Sequence, residues 1–85
     1  MIQLYKAEVK IELKPGVLDA EGKTVKGSLN LLGFDTVSDV KSIKLFQIKL
    51  ESNSKEDAQK TVEDACKRLL ANPVINNYSI SIEEA

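Results

Sequence analysis

Side chains that could carry out chemistry are few in this chain. It has one cysteine, Cys66, and no histidine, so the sequence offers neither a C-x-x-C pair nor a Cys/His cluster for a metal ion. Cys66 lies on the apolar stripe of a predicted helix, which favours an inert core thiol over a nucleophile. The sequence therefore predicts no metal site and no catalytic cysteine.

Groups suited to phosphate binding or acid–base catalysis are equally sparse. The single arginine, Arg68, falls late in the second predicted helix. There we expect its positive charge to interact with the C-terminal end of the helix dipole rather than hold a phosphate. The four glycines match neither a P-loop nor a dinucleotide fingerprint. The adjacent carboxylates Glu63–Asp64 and Glu83–Glu84 point in different directions or lie in the tail. We expect no catalytic residue and no cofactor-binding residue in this chain.

Composition narrows the class of protein further. The 85 residues form one domain, 1–85, and a core of this size gains stability by self-association. Twelve basic residues against thirteen acidic ones argue against a nucleic-acid partner, which would call for a basic face. The sequence has no signal-peptide pattern and no apolar run long enough to span a membrane. We expect a cytoplasmic homo-oligomer, a dimer or dimer of dimers, without membrane contact.

The elements that must position any site follow from periodicity. Strict alternation predicts a strand over Tyr5–Leu13, which Lys14-Pro15-Gly16 ends. Asp19 then caps a helix predicted over Ala20–Leu32, with Gly33 in the left-handed position that ends it. The apolar stripe of this helix is expected to face the core and comprises Val25, Leu29 and Leu32.

The same periodicities predict the elements in the second half of the chain. Strands are predicted over Thr36–Lys41 and Lys44–Glu51, joined at Ser42–Ile43, and a last strand runs from Tyr78 to Glu83. Ser54 caps a second helix that stops at Asn72–Pro73. Its apolar stripe comprises Ala58, Val62, Ala65, Cys66, Leu69 and Leu70.

The order β-α-β-β-α-β predicts an α+β fold, a ferredoxin-like sandwich with a four-stranded antiparallel sheet and both helices on one face. The alternation of side chains along the strands places Tyr5, Phe46 and Tyr78 in the core. The open face of the sheet therefore lacks the stacking aromatics of an RNA-recognition module. That face is expected to be solvated or covered by a second copy, and it carries Lys6, Glu8, Lys10, Glu12, Gln47 and Lys49.

Three stretches, in this order and over nearly the whole length, carry a resemblance to a known family. They are YKAEVKIELKPGVLDAEGKTV at the start, LGFDTVSDVK in the middle and LLANPVINNYSISIEE at the end. With them the chain resembles the PurS family, the small subunit of phosphoribosylformylglycinamidine synthase in purine biosynthesis. It departs from the family at Ala20, where a proline is usual, and at Ile43–Leu45, where a Gly-Lys-aromatic turn is common.

The resemblance implies a subunit without chemistry of its own. In the family, a glutaminase subunit releases ammonia from glutamine, and a large subunit uses ATP and magnesium to convert formylglycinamide ribonucleotide to the amidine. The small subunit assembles these two and supports ammonia delivery. The alternative is a stand-alone regulatory module that binds a small ligand as a homodimer.

The candidate partner-docking residues lie in the loop after the first strand, and they are Pro15, Gly16, Val17, Leu18 and Asp19. Val17 and Leu18 form an apolar pair between a rigid turn and a capped helix. They could fold back as a hydrophobic staple or dock a partner. We expect stapling for Val17 and docking for Leu18.

Overall fold

The computed structural model describes residues 2–85 and consists of one antiparallel sheet and two helices. Its strands are β1 (Gln3–Leu13), β2 (Lys44–Ser52) and β3 (Asn76–Glu84). The helices are α1 (Ala20–Leu31) and α2 (Lys55–Ala65), and α2 continues into a π-helical turn, Cys66–Leu70. The strand order is β2-β1-β3, with β1 in the centre and antiparallel to both neighbours. The α+β class predicted from the sequence is confirmed.

The alternation predicted for β1 is confirmed, and it separates the two faces of the sheet. One face packs under α2 and forms the core, which comprises Tyr5, Ala7, Val9, Ile11, Ala58, Val62, Cys66, Ala71 and Ile82. Phe46 and Tyr78 pack against this core from β2 and β3, also as predicted. The opposite face is polar, and there Gln47 Nε2 donates to Glu8 Oε2 at 3.2 Å. Apolar burial on one face only therefore sets the phase of the sheet.

The prediction of a fourth strand at Thr36–Lys41 is wrong. Asp35 and Thr36 form a turn, and residues 37–43 have no regular structure. Backbone groups of this segment bond locally: Val37 N–H donates to Phe34 O at 3.3 Å, and Val37 O accepts from Asn30 Nδ2 at 3.3 Å. Ser42–Ile43 also lacks the glycine or asparagine of a tight hairpin. The segment therefore bonds to α1 and its own turn, and the sheet has three strands.

The prediction that both helices cover one face of the sheet is also wrong. In the described chain only α2 packs on the sheet, and α1 makes no extended contact with it. Residues Asp19–Ser42, which we call the arm, consist of α1 and the segment that returns beside it. The molecule is elongated, with principal extents of 55 × 27 × 14 Å. The ferredoxin-like sandwich is thus replaced by a three-stranded sheet, one covering helix and the arm.

The second helix follows the prediction at its start and departs from it at its end. Ser54 caps it, its hydroxyl oxygen accepting from Asp57 N–H at 3.1 Å. At the other end Ala71 N–H donates to Cys66 O at 3.0 Å, an i→i+5 bond that widens the last turn. The wider turn places Leu70 near the core and leaves Leu69 82% exposed. Leu69 is therefore not part of the core stripe predicted for this helix.

Candidate functional site at the base of the arm

The loop Pro15–Asp19 connects β1 to the arm and is held in place by the segment before β3. Lys14 N–H donates to Ile75 O at 2.8 Å, and Lys14 Nζ donates to Pro73 O at 2.7 Å. Val17 N–H closes the turn onto Lys14 O at 3.1 Å, across Gly16, whose φ of +88° favours glycine. The loop is therefore anchored by the residue before it, Lys14, and turned by a glycine suited to that conformation.

The two apolar residues of the loop have different surroundings. Val17 is half-buried, whereas Leu18 is 64% exposed. Val17 lines a shallow cleft of about 400 Å³ between the loop and Lys41–Ile43. A neighbouring cleft of about 480 Å³ has an apolar wall formed by Ile11, Leu13, Ile43, Leu70 and Ile75. The five residues predicted for docking thus lie together at a surface beside two clefts, one of which has an apolar wall.

Asp19 is the main polar junction at the base of the arm. Its Oδ1 accepts from Gly22 N–H at 2.9 Å and from the Ser42 hydroxyl at 2.8 Å. Its Oδ2 accepts from Ser42 N–H at 2.7 Å. The hydrogen bond from the Ser42 backbone, followed by those from Gly22 N–H and the Ser42 hydroxyl, lowers the pKa of the Asp19 carboxyl below its usual 3.8. Asp19 therefore caps α1, as predicted, and also ties it to the end of the arm.

Gly22 allows the two halves of the arm to approach each other. A Cβ at this position would collide with the carbonyl oxygen of Val40 and lie 2.7 Å from Asp19 Oδ2. The sequence shows Gly22 only as a weak helix former. The sequence predicts neither the close approach of Gly22 to Val40 nor the hydrogen bonds between Asp19 and Ser42. Each contact joins residues about twenty positions apart, and one partner lies in or next to a segment predicted to be a strand.

The tip of the arm is closed by a second set of bonds. Asn30 Nδ2 donates to Phe34 O at 2.9 Å, and Phe34 N–H donates to Leu29 O at 3.0 Å. Gly33 has a φ of +96°, which confirms the left-handed residue predicted after the helix. The arm is therefore bonded at both ends.

The other candidate chemical groups lie away from this base. Cys66 is fully buried in the core, and burial, with a smaller contribution from the charge of Glu63, raises the pKa of its thiol. Arg68 Nε pairs with Asp64 Oδ2 at 3.1 Å, and both side chains are exposed. Arg68 lies in the last turn of the helix, where a cation interacts favourably with the helix dipole, and it also forms this i,i+4 ion pair. Among residues 2–85, no three potential metal ligands cluster and no helix is long and apolar enough to cross a membrane.

Comparison with known proteins adds evidence from the whole chain. The PurS family model, for phosphoribosylformylglycinamidine (FGAM) synthase, matches residues 6–84. The chain is 47% identical over 81 residues to phosphoribosylformylglycinamidine synthase subunit PurS of Methanocaldococcus jannaschii, covering 95% of this chain and 98% of the relative.

Solved structures agree with the family match. The crystal structure of Methanocaldococcus jannaschii PurS, one of the subunits of formylglycinamide ribonucleotide amidotransferase in the purine biosynthetic pathway, superposes with a TM-score of 0.87 at 46% identity. That match covers 95% of this chain and 98% of the other. A chain of PurLQS from Thermotoga maritima superposes with a TM-score of 0.86 at 28% identity, covering 94% and 98%.

Proposed function

The chain belongs to the PurS family of phosphoribosylformylglycinamidine synthase subunits, which act in purine biosynthesis, and we propose that its own part in that enzyme is noncatalytic. It would hold the glutaminase subunit and the large synthase subunit together and support ammonia transfer between them. ATP, magnesium and glutamine would be used by those partners, and this chain would bind no cofactor. A stand-alone regulatory module that binds a small ligand is not favoured by the comparisons.

One observation carries the noncatalytic role: the Asp19 carboxylate and the Lys14 ammonium, at the base of the arm, are engaged in bonds within the chain. The Asp19 carboxylate accepts three hydrogen bonds from Gly22 and Ser42, and the Lys14 ammonium donates to Pro73 O. The hydrogen bonds that lower the pKa of Asp19 also make its carboxylate a weaker general base. These groups serve to fix the backbone, which suits a docking surface better than a reaction centre.

The loop Pro15–Asp19 is the proposed docking site for a larger subunit. Leu18 projects from a loop whose ends are fixed by Lys14 and Asp19, so little conformational entropy is lost when it is buried by a partner. The adjacent clefts, one with an apolar wall, would extend the contact beyond a single side chain. Self-association into a dimer or a dimer of dimers would present more than one such loop to the assembly.

Reconstitution from separately purified subunits tests the proposal. Adding this chain to the glutaminase and large subunits should raise glutamine-dependent turnover, and the chain alone should hydrolyse neither glutamine nor ATP. Free ammonium bypasses the glutaminase, so ammonia-dependent turnover by the large subunit should change little. Equal glutamine-dependent turnover with and without the chain would contradict the bridging role.

A single exposed side chain tests the docking loop. Leu18→Ser should weaken capture of a larger subunit while leaving the melting temperature of the isolated chain nearly unchanged. Leu45→Ser is the matched control, because Leu45 is 51% exposed on the polar face of the sheet. Unchanged capture by the Leu18 variant, or an equal loss with the Leu45 variant, would contradict docking through the loop.

A further inference from the structure

The proposed docking loop, Pro15–Asp19, faces the arm across a third cleft, which has a volume of about 390 Å³. We call this space the base cleft. One wall is the docking loop, with Val17, Leu18 and Asp19. The other wall belongs to the arm and includes Lys23, Asp39 and Lys41. A partner that covers Leu18 therefore also reaches the arm.

Two hydrogen bonds hold the walls of the base cleft together. Asp19 Oδ2 accepts from Ser42 N–H at 2.7 Å, and Asp19 Oδ1 accepts from the Ser42 hydroxyl at 2.8 Å. We call this pair of residues the base clasp. Asp19 is the last residue of the docking loop, and Ser42 directly follows Lys41. The clasp therefore joins the two walls at their ends.

The shape of the base cleft depends on this clasp because the arm is not packed on the sheet. In the described chain α1 makes no extended contact with the sheet, and residues 37–43 have no regular structure. Without the Asp19–Ser42 bonds, the returning segment would be free to move away from the docking loop. A preformed cleft favours binding, because its ordering entropy has already been lost on folding. The clasp therefore positions one half of the cleft against the other.

The charges of the base cleft indicate the chemistry of the partner it fits. Lys23 and Lys41 are exposed, and among residues 2–85 neither forms an ion pair. The Asp19 carboxylate is directed at Gly22 and Ser42, at the start of α1, where the helix dipole offsets its charge. Two ammonium groups, opposed on their own wall only by Asp39, thus lie beside an exposed leucine. The complementary surface is an apolar side chain next to a carboxylate.

We propose that the base cleft is the complete docking site, in which a segment of a larger subunit places an apolar side chain beside Leu18 and a carboxylate beside Lys23 and Lys41. Ser42 is a positioning residue, because it acts through Asp19 to hold the two walls together. The inference rests on the proposed docking role and extends it, since it assigns a second wall and the chemistry of the partner segment.

Charge reversal on the arm wall tests the second half of the site. Lys23→Glu with Lys41→Glu should weaken capture of a larger subunit roughly tenfold, because the partner carboxylate would then meet like charges. Lys49→Glu with Lys67→Glu is the matched control, since it changes the net charge equally at exposed positions away from the cleft. Unchanged capture by the cleft variant, or an equal loss in the control, would overturn the proposal.

Salt dependence separates a charge contact from a loss of folding. Raising the salt concentration should weaken capture of the wild-type chain, and it should weaken capture of the cleft variant much less. Circular dichroism and thermal melting should show that both lysine variants remain folded. Wild-type capture that does not change with salt would contradict the carboxylate contact.

Substitution of Ser42 tests the base clasp. Ser42→Ala removes the hydroxyl that donates to Asp19 and keeps the backbone bond, so capture should weaken about fivefold. Ser42→Thr restores the hydroxyl and should restore capture. In the wild type, a bound larger subunit should also slow hydrogen exchange at the Ser42 amide, because it binds the closed clasp. Full capture by Ser42→Ala, equal losses in both variants, or unchanged exchange in the complex would overturn the role of the clasp.

Failure of this inference and failure of the proposed docking have different signatures. If Leu18→Ser leaves capture unchanged, docking through the loop is wrong and the base cleft is wrong with it. If Leu18→Ser weakens capture but the lysine and Ser42 variants do not, only the second wall and the clasp are wrong. The bridging role is tested separately, by glutamine-dependent turnover in the reconstituted enzyme.

Discussion

Alanine substitution at Gly22 and Gly27 separates helix propensity from close packing within one helix. Both glycines lie in α1, and replacing an interior helical glycine with alanine should stabilise the helix by about 1 kcal/mol. At Gly27 nothing lies within 4 Å of the added Cβ, so this gain should be realised. At Gly22 the Cβ would collide with Val40 O, a backbone atom that cannot rotate away. For Gly22→Ala, helix propensity therefore predicts a more stable arm, whereas close packing predicts a less stable one.

The magnitude follows from the two opposing effects. Overpacking typically costs about 1–3 kcal/mol, so the gain of about 1 kcal/mol should be outweighed and Gly22→Ala should destabilise the arm by about 1 kcal/mol. Relief of the collision would move α1 away from Val40 and stretch the Asp19–Ser42 hydrogen bonds. The two substitutions should therefore differ by about 2 kcal/mol in arm stability.

Hydrogen exchange is the suitable assay, because the arm is not packed on its own sheet and can open locally. Arm amides such as Lys23 N–H, which donates to Asp19 O, should exchange about fivefold faster in Gly22→Ala and about fivefold slower in Gly27→Ala. Amides of β1 serve as an internal reference and should exchange unchanged. Slower arm exchange in Gly22→Ala would refute the close-packing argument, since propensity would then dominate at both sites.

Three further predictions concern the base of the arm and the core. Folding lowers the pKa of Asp19, so its contribution to arm stability should be present above pH 3.8 and be lost as the pH falls through the lower folded value. Hydrogen exchange of the arm amides, measured against pH, should show this loss of stability. The Asp19→Asn variant should not show this pH dependence. Val17→Ser should lower the unfolding free energy, measured by urea denaturation, by about 1 kcal/mol because Val17 is partly buried. Leu18→Ser should leave the urea midpoint equal to that of the wild type within experimental error. Equal losses of unfolding free energy in the two variants would contradict the different burial of the two side chains. The Cys66 thiol, fully buried and with a raised pKa, should react with a thiol reagent only as fast as the chain unfolds, so fast labelling under native conditions would contradict its burial.

Sequence alone determined the features that depend on neighbours along the chain. Alternation assigned the buried face of β1, because a side chain two residues on returns to the same side of a strand. The caps Asp19 and Ser54 and the left-handed Gly33 followed from residue type at a helix end. The loop Pro15–Asp19 was placed correctly between β1 and α1 for the same reason.

Tertiary structure decided where distant segments meet. The stripe of α1 predicted an apolar face but not what covers it, since periodicity identifies a buried side and not its partner. Thr36–Lys41 looked like a strand, yet Asn30 and Phe34 take the bonds of Val37, and Asp19 takes the amide of Ser42. The π-helical turn Cys66–Leu70 widens the end of the second helix and leaves Leu69 in solvent. Each of these outcomes depends on a competition for contacts, and local propensity does not measure that competition.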